Sequence, residues 1–377
     1  MRYSILATAL VGATTVHGLP SFISEIVTDF KGALAPLLQP ISYGHHLVNL
    51  EEAKTKYAAW PKFVHPDPQH EYKDGACEAE IAFKNGSLGG LLPRETAAAC
   101  AASPNIRFEW DDYSTSDRQA LMSAFKCLQN KAPSGAFSSS TSRWEDFARL
   151  HQSYTTNIHG NQKFLLWHRY FLWTFEQVLR DECGFNRAFV WFDETKHAGA
   201  FSGSDLFSSA YLGTLSGAQK CVTDGAFAGL TCHIGPGTGE STHCLSRKGT
   251  SSDTAQCSTG YINYCASMAD YQNYEVCLEN GPHGYGHNGV GGVMEDVNSS
   301  PQEPFFWFHH AFIDRAYRVW ELANTGSRYT SIDGVDHNGN AITLDTVIFM
   351  GGIRPDVTVR EIINTLSGTT MCYRYNY

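Results

Sequence analysis

Apolar residues recur at helical spacing through the middle of this chain and at irregular spacing on either side. From Ser116, Asp117 and Arg118 lead into Leu121, Met122, Phe125 and Leu128, an amphipathic spacing that predicts a helix. Trp144, Phe147 and His151 stand at i, i+3 and i+7 of a second helix beginning near Ser142. A third runs from about Phe164 to Arg180, with Gly184 placed to close it. Another helix is expected around Tyr271 to Leu278, breaking near Gly281 and Pro282, and a last one from about Glu303 to Ala323, entered through Pro301 and Pro304. Residues 19 to about 105 mix short apolar runs with Pro and Gly and read as loosely structured wrapping, and beyond Tyr329 the runs become β-like, as in Ile342 to Met350. The expected fold class is mainly α: a helical bundle with long decorated connections and a few short strands, a single domain over residues 19–377.

Composition sharpens this. A formal net charge of -10 with no basic stripe argues against a nucleic-acid partner. Arg2, the apolar stretch Ile5–Val11, and Val16 and Gly18 at plausible cleavage positions predict a signal peptide over residues 1–18 and export from the cell. No later stretch reaches the roughly 18 apolar residues of a membrane span. Eleven cysteines are present, six of them between Cys221 and Cys277 in a Gly-, Ser- and Thr-rich region from roughly 200 to 268. Such a region buries little apolar surface, so disulfide-tied loops are expected there, and the odd total leaves at least one thiol unpaired or intermolecular. Sequons at Asn85 and Asn298 fit a secretory route.

The histidines carry the chemistry. His168 falls mid-helix on a stripe made by Phe164, Phe171, Leu172 and Phe175, where a neutral imidazole must satisfy both ring nitrogens away from water. A metal on one nitrogen and a hydrogen bond on the other does so. His151 faces inward on the preceding helix and His159 lies in the connection, completing a trigonal nitrogen site suited to copper or zinc. His283 and His287, four apart, aim at one point, and His310 sits on the apolar stripe of the last helix. His309 lies roughly 100° away by helix geometry and is the weaker candidate. Asp314, one turn on, is placed to hydrogen-bond a ligand imidazole, and Gly284 and Asn288 adjoin the ligands. The absence of G-x-S-x-G and H-E-x-x-H leaves the common hydrolase readings without support. The remaining histidines, His45, His46, His65, His70, His197, His233 and His243, are read as loop or surface residues.

With these residues in place, the chain resembles the tyrosinase, catechol oxidase and molluscan hemocyanin family of binuclear copper proteins. His159, Phe164, Leu165, Trp167, His168, Arg169, Leu172 and Glu176 match its first copper signature; Pro304, Phe306, Trp307, His310 and Asp314 match its second, with Glu303 where Asp is usual. SDRQALMSAFKCL and the ending CYRYNY look like the short, secreted fungal branch. The resemblance, covering about residues 110 to 377, implies one copper on His151, His159 and His168 and another on His283, His287 and His310. It further implies dioxygen as co-substrate and oxidation of phenols or catechols to quinones, within fungal secondary metabolism. Glu279, with Glu275 as backup, is implied as the acid that holds a water and helps deprotonate the phenol.

Departures from the family pattern bear on the reaction. Asn157 stands where many fungal relatives have a cysteine joined to the neighbouring histidine. Gly284 stands where efficient monophenol hydroxylases often carry Asn, which favours catechol oxidation over hydroxylation. Leu166 replaces a frequent Pro, and VWFDE at Val190 to Glu194 keeps Asp193 but loses the family's last Trp. With the sequence ending at Tyr377, no shielding C-terminal domain is expected. Two alternatives follow: a zinc-dependent, non-oxidative relative of the cyclopenase type, contracting a benzodiazepinedione to a quinolone, and a non-catalytic dioxygen-binding protein.

Overall fold

The computed structural model describes residues 46–63, 97–324, 328, 332–368 and 370–377. The expected signal peptide, Asn85, Cys77, His45, His65 and His70 lie outside the described residues.

In chain order, the elements that position the site are helix α1 (Leu50–Lys56), strand β1 (Asn105–Glu109), α2 (Thr115–Asn130), α3 (Arg143–Ile158), α4 (Phe164–Cys183), β2 (Phe189–Trp191), α5 (Thr259–Ala266), α6 (Tyr271–Leu278), α7 (Gly284–Val290), α8 (Phe305–Leu322) and β3 (Tyr373–Tyr375). Local chemistry sets the helix ends. Ser114 and Ser142 cap α2 and α3 by accepting from the backbone N–H of Asp117 and Glu145. Gly184 closes α4 at φ 64°, a left-handed conformation that glycine adopts without a Cβ penalty.

Helices α2, α3, α4 and α8 pack together around an aromatic core. Trp307 of α8 stacks flat on Phe175 of α4, centroids 3.5 Å apart, while Trp144 and Phe147 of α3 meet the same pair edge-on. A parallel sheet in the order β2-β1-β3 closes one side, with Arg107 opposite Phe189 and Asn105 opposite Tyr373. The last apolar run forms only the short pair Val347–Ile348 with Val357–Thr358.

A buried charge network ties sheet to bundle. Arg107 pairs with Glu176 at 3.0 Å and Asp314 at 3.2 Å; Arg169 pairs with Asp314 at 2.6 Å and Glu321 at 2.8 Å. Tyr373 and Tyr375 each donate to Asp314 Oδ2 at 2.6 Å. Alternate residues of a strand share a face, which brings both phenols of the YRY run to one carboxylate.

Four bridges occur among the described residues: Cys100–Cys372, Cys127–Cys183, Cys221–Cys244 and Cys265–Cys277. The Cys-rich region is thus less bridged than its count suggests, since Cys232 and Cys257 are buried free thiols. The Cys257 thiol donates to Pro282 O at 3.6 Å. No helix of the described residues is long and apolar enough to cross a membrane.

Candidate metal centre

Two histidine groups converge inside the bundle. His151, His159 and His168 form one; His283, His287, His309 and His310 form the other, each with ring nitrogens within 4.8 Å of one another. All are buried. His151 projects from α3, His159 is the residue on which α3 ends, and His168 stands a turn into α4. His283 ends a π-type turn, Glu279–His283, that joins α6 to α7. Gly281 departs from helical angles there, and Pro282 cannot donate a backbone hydrogen bond, so the turn opens and re-aims the chain before His287. The rings of His168 and His310 stack 4.5 Å apart at 13°, so the two groups face each other across a gap of one ring contact.

The backbone decides the tautomers. Nδ1 of His151 donates to Asn298 O at 3.0 Å, His159 to Thr155 O at 3.0 Å, His168 to Phe164 O at 2.8 Å, His283 to Glu279 O at 3.2 Å and His287 to Met294 O at 2.7 Å. A neutral imidazole with its proton on Nδ1 presents a lone pair at Nε2. Burial lowers the imidazole pKa values of His151, to about 4, and of His168, His283 and His287, so these four rings stay neutral at physiological pH. Nε2 of His168 then lies 3.3 Å from Nε2 of His151, lone pair against lone pair. Nε2 of His287 lies 3.2 Å from Nε2 of His310. The His151–His168 pair, both protonated on Nδ1, sets acceptor against acceptor, which repels in a dry interior unless a cation sits between them, whereas His310 is free to donate from Nε2 to His287. The residues present fit a metal pair.

Several expected neighbours take other places. Asp314 does not orient His310: its oxygens are committed to Arg107, Arg169, Tyr373 and Tyr375, and His310 Nδ1 has no hydrogen-bond partner. Charge explains the correction, because a carboxylate between two guanidiniums gains more from them than from a neutral ring. Burial opposes ionisation, but Arg169 and Arg107 outweigh it and hold Asp314 below the ordinary aspartate range. Asn288 makes no bond to a ligand, its Oδ1 lying buried without a partner. Glu303 pairs with Arg247 at 2.6 Å.

Glu279 accepts from the Gly160 N–H at 3.0 and 3.1 Å, which sets it beside His159. Burial raises its pKa to about 7, against the pull of that N–H. Glu275, also buried and raised, accepts from Gln162 at 3.1 Å. The two acids hydrogen-bond to each other.

His309 belongs to the second group despite its helix angle. Its Nδ1 lies 2.5 Å from Glu194 Oε1, where the sequence motif lost a Trp. A Cβ on Gly286 would come 2.4 Å from His309 Cε1, so that glycine makes room for the ring. Substituted Glu194 is the signal that could have drawn attention to His309. Elsewhere, His243 is buried and its Nδ1 donates to Ser241 O at 2.7 Å, and His233 pairs with Glu145 at 2.9 Å, so neither is a plain surface residue. His197 stacks on Phe192.

Comparisons with known proteins converge on this geometry. The family model described as the common central domain of tyrosinase matches residues 141–323. Tyrosinase ustQ of Aspergillus flavus is 30% identical over 310 residues, covering 76% of this chain and 84% of its own. Tyrosinase P of Aspergillus terreus is 28% identical over 346 residues, covering 76% and 95%. Among solved structures, a polyphenol oxidase variant from Thermothelomyces thermophila superposes with a TM-score of 0.68 at 25% identity, covering 74% of this chain and 92% of that one. A functional unit of octopus hemocyanin shares the fold at 0.51, with 18% identity over 72% of this chain and 68% of that one.

Proposed function

From the premise that the chain belongs to the tyrosinase family, we propose that it is an oxygen-dependent binuclear copper enzyme that oxidises a small phenol or catechol to a quinone. The observation that carries the reading is the pair of facing Nε2 contacts, one in each histidine group, 3.3 and 3.2 Å apart. Nitrogen ligands support both copper oxidation states, and two adjacent coppers supply a two-electron exchange with dioxygen. His151, His159 and His168 would hold one ion, and His283, His287 and His310 the other.

The protein's own residues supply position and proton handling. Main-chain carbonyls hold five imidazoles in one tautomer, so the ligands need no reorganisation. Glu279 is fixed by Gly160 and lies at the edge of the centre, where it would orient a water and take the phenolic proton; beside two cations its carboxyl would ionise readily. Phe164 packs on His168 and on His283, with centroids 4.7 and 4.5 Å away, and keeps the floor of the site apolar. The absence of a side chain at Gly284 supports catechol rather than monophenol turnover. Relatives whose names tie them to tyrosinase-like proteins of Aspergillus and Diaporthe support a biosynthetic setting in a fungus. The bridges found, together with the apolar N-terminal stretch, support export, since disulfides persist in oxidising compartments.

The test is metal content of native protein together with oxygen uptake on catechols. Two coppers per chain and uptake that stops without oxygen are expected. Zinc alone, with turnover indifferent to oxygen, would replace this reading with the Lewis-acid alternative.

A further inference from the structure

The segment just before α1 crosses the turn that carries His283. The Val48 N–H donates to Asn280 O at 3.0 Å, the Tyr261 hydroxyl donates to Val48 O, and the Leu50 N–H donates to Gln256 Oε1 at 3.1 Å. Val48 is buried, and Tyr261 of α5 packs so closely under the turn that a Cβ on Gly281 would lie 2.5 Å from its ring. The backbone of residues 48–50 is therefore pinned at three points, one of them on the turn that delivers His283 and one on the tyrosine packed under that turn. That fixes where the neighbouring side chain goes. A Cβ built on Gly284, the residue that follows His283, would lie 2.3 Å from Leu47 Cδ2 and 3.4 Å from Glu279 O.

Two residues distant in sequence therefore compete for one volume next to His283 and against the main chain of Glu279. Gly284 leaves it open, and Leu47 fills it. We propose that Leu47 is a specificity-determining residue: its isobutyl group stands in for the side chain missing at position 284 and forms an apolar wall of the substrate site, limiting the bulk of ring substituents that reach the metals. The inference rests on the proposed reaction for its choice of substrates, and on the 47–284 contact for its geometry. Because the wall comes from a segment outside the helical bundle, its size is set independently of the ligand-bearing helices.

The experiment is a cycle of four copper-loaded proteins: wild type, Leu47→Ala, Gly284→Leu and the double variant. Turnover of catechol and of 4-tert-butylcatechol is measured on each, with affinity for benzoate and 4-tert-butylbenzoate as a readout independent of turnover, and with melting temperature and copper content. Leu47→Ala should raise kcat/KM for the bulky catechol relative to catechol by about tenfold, the scale set by a few methylenes in a hydrophobic pocket, with copper content unchanged. Gly284→Leu alone should melt lower than wild type. Adding Leu47→Ala should restore both its melting temperature and the wild-type preference for the small catechol, because the leucine has only changed its point of attachment. An unchanged substrate ratio in Leu47→Ala, or additive melting shifts across the cycle, overturns the inference. If no catechol is turned over but the benzoate preference shifts as described, the oxidase reading fails and the wall stands. If both catechols are turned over and their ratio does not move, the oxidase reading stands and the wall fails.

Discussion

Replacing Asp314 with Asn separates two roles that a carboxylate on this helix could play. In the structure, Asp314 lies at the junction of Arg107, Arg169, Tyr373 and Tyr375 and touches no imidazole nitrogen. Asp314→Asn keeps the shape and removes the charge. Loss of one partner from a buried ion pair costs roughly 3–5 kcal/mol. Each arginine retains a second carboxylate here, Glu176 for Arg107 and Glu321 for Arg169, so the lower end applies, about 3 kcal/mol. Unfolding entropy of about 2.1 cal/mol/K per residue, over 377 residues, converts that to a fall in melting temperature of about 4 °C. Calorimetry at a fixed scan rate measures it, and copper titration with a competing chelator runs alongside. Stability should drop while copper affinity holds. A variant that melts with wild type but loses copper would show that Asp314 orients His310 after all, and the network argument would be wrong. The charge also gives a pH signature. Because the folded-state pKa is depressed, its stabilisation is complete above the unfolded value near 3.9 and is lost as pH falls below that point; in Asp314→Asn this acid limb should be shallower.

Three further outcomes are expected. Chelation of the metals should lower the melting temperature and reloading should restore it, each ion contributing about 4 kcal/mol when held a thousandfold above its Kd; His168→Ala should halve the copper content, and full content in that variant would refute the ligand assignment. In chelated protein, burial raises Glu279 to about 7, so its ionisation in the folded state costs stability as pH climbs from the ordinary glutamate value through 7; Glu279→Gln should gain on wild type in melting temperature across that range, whereas a constant difference would remove Glu279 from the buried acids. The Cys127–Cys183 bridge spans a separation of 56 residues, for which chain entropy gives about 4 kcal/mol; replacing both cysteines with Ala should cost most of that in denaturant titrations, and no shift would mean the bridge constrains nothing.

Much of this architecture is legible along the chain. Helix periods, caps and the stop at Gly184 are local properties, so α2, α3, α4, α6 and α8 were readable from spacing and turn chemistry. The break near Gly281 and Pro282 was equally visible, because neither residue favours a helix interior. An imidazole on an aromatic stripe needs a partner wherever the stripe is buried, and that alone singled out His151, His168 and His310. Other facts are non-local. Asp314 had two chemically reasonable partners, and only the return of β3 beside β1, which delivers two phenols and Arg107 to one point, chose between them. His309 is a hundred degrees off by helix geometry, yet it joins the second group because Gly286 lets α7 approach and Glu194 holds its far nitrogen. Which cysteines pair, and that Leu47 lies against Gly284, depend on segments brought together from across the chain. Periodicity and side-chain chemistry therefore determined the helices and most members of the two histidine groups, whereas the company each histidine keeps was decided by tertiary packing, because electrostatic and steric choices between equal candidates are made only where distant segments meet.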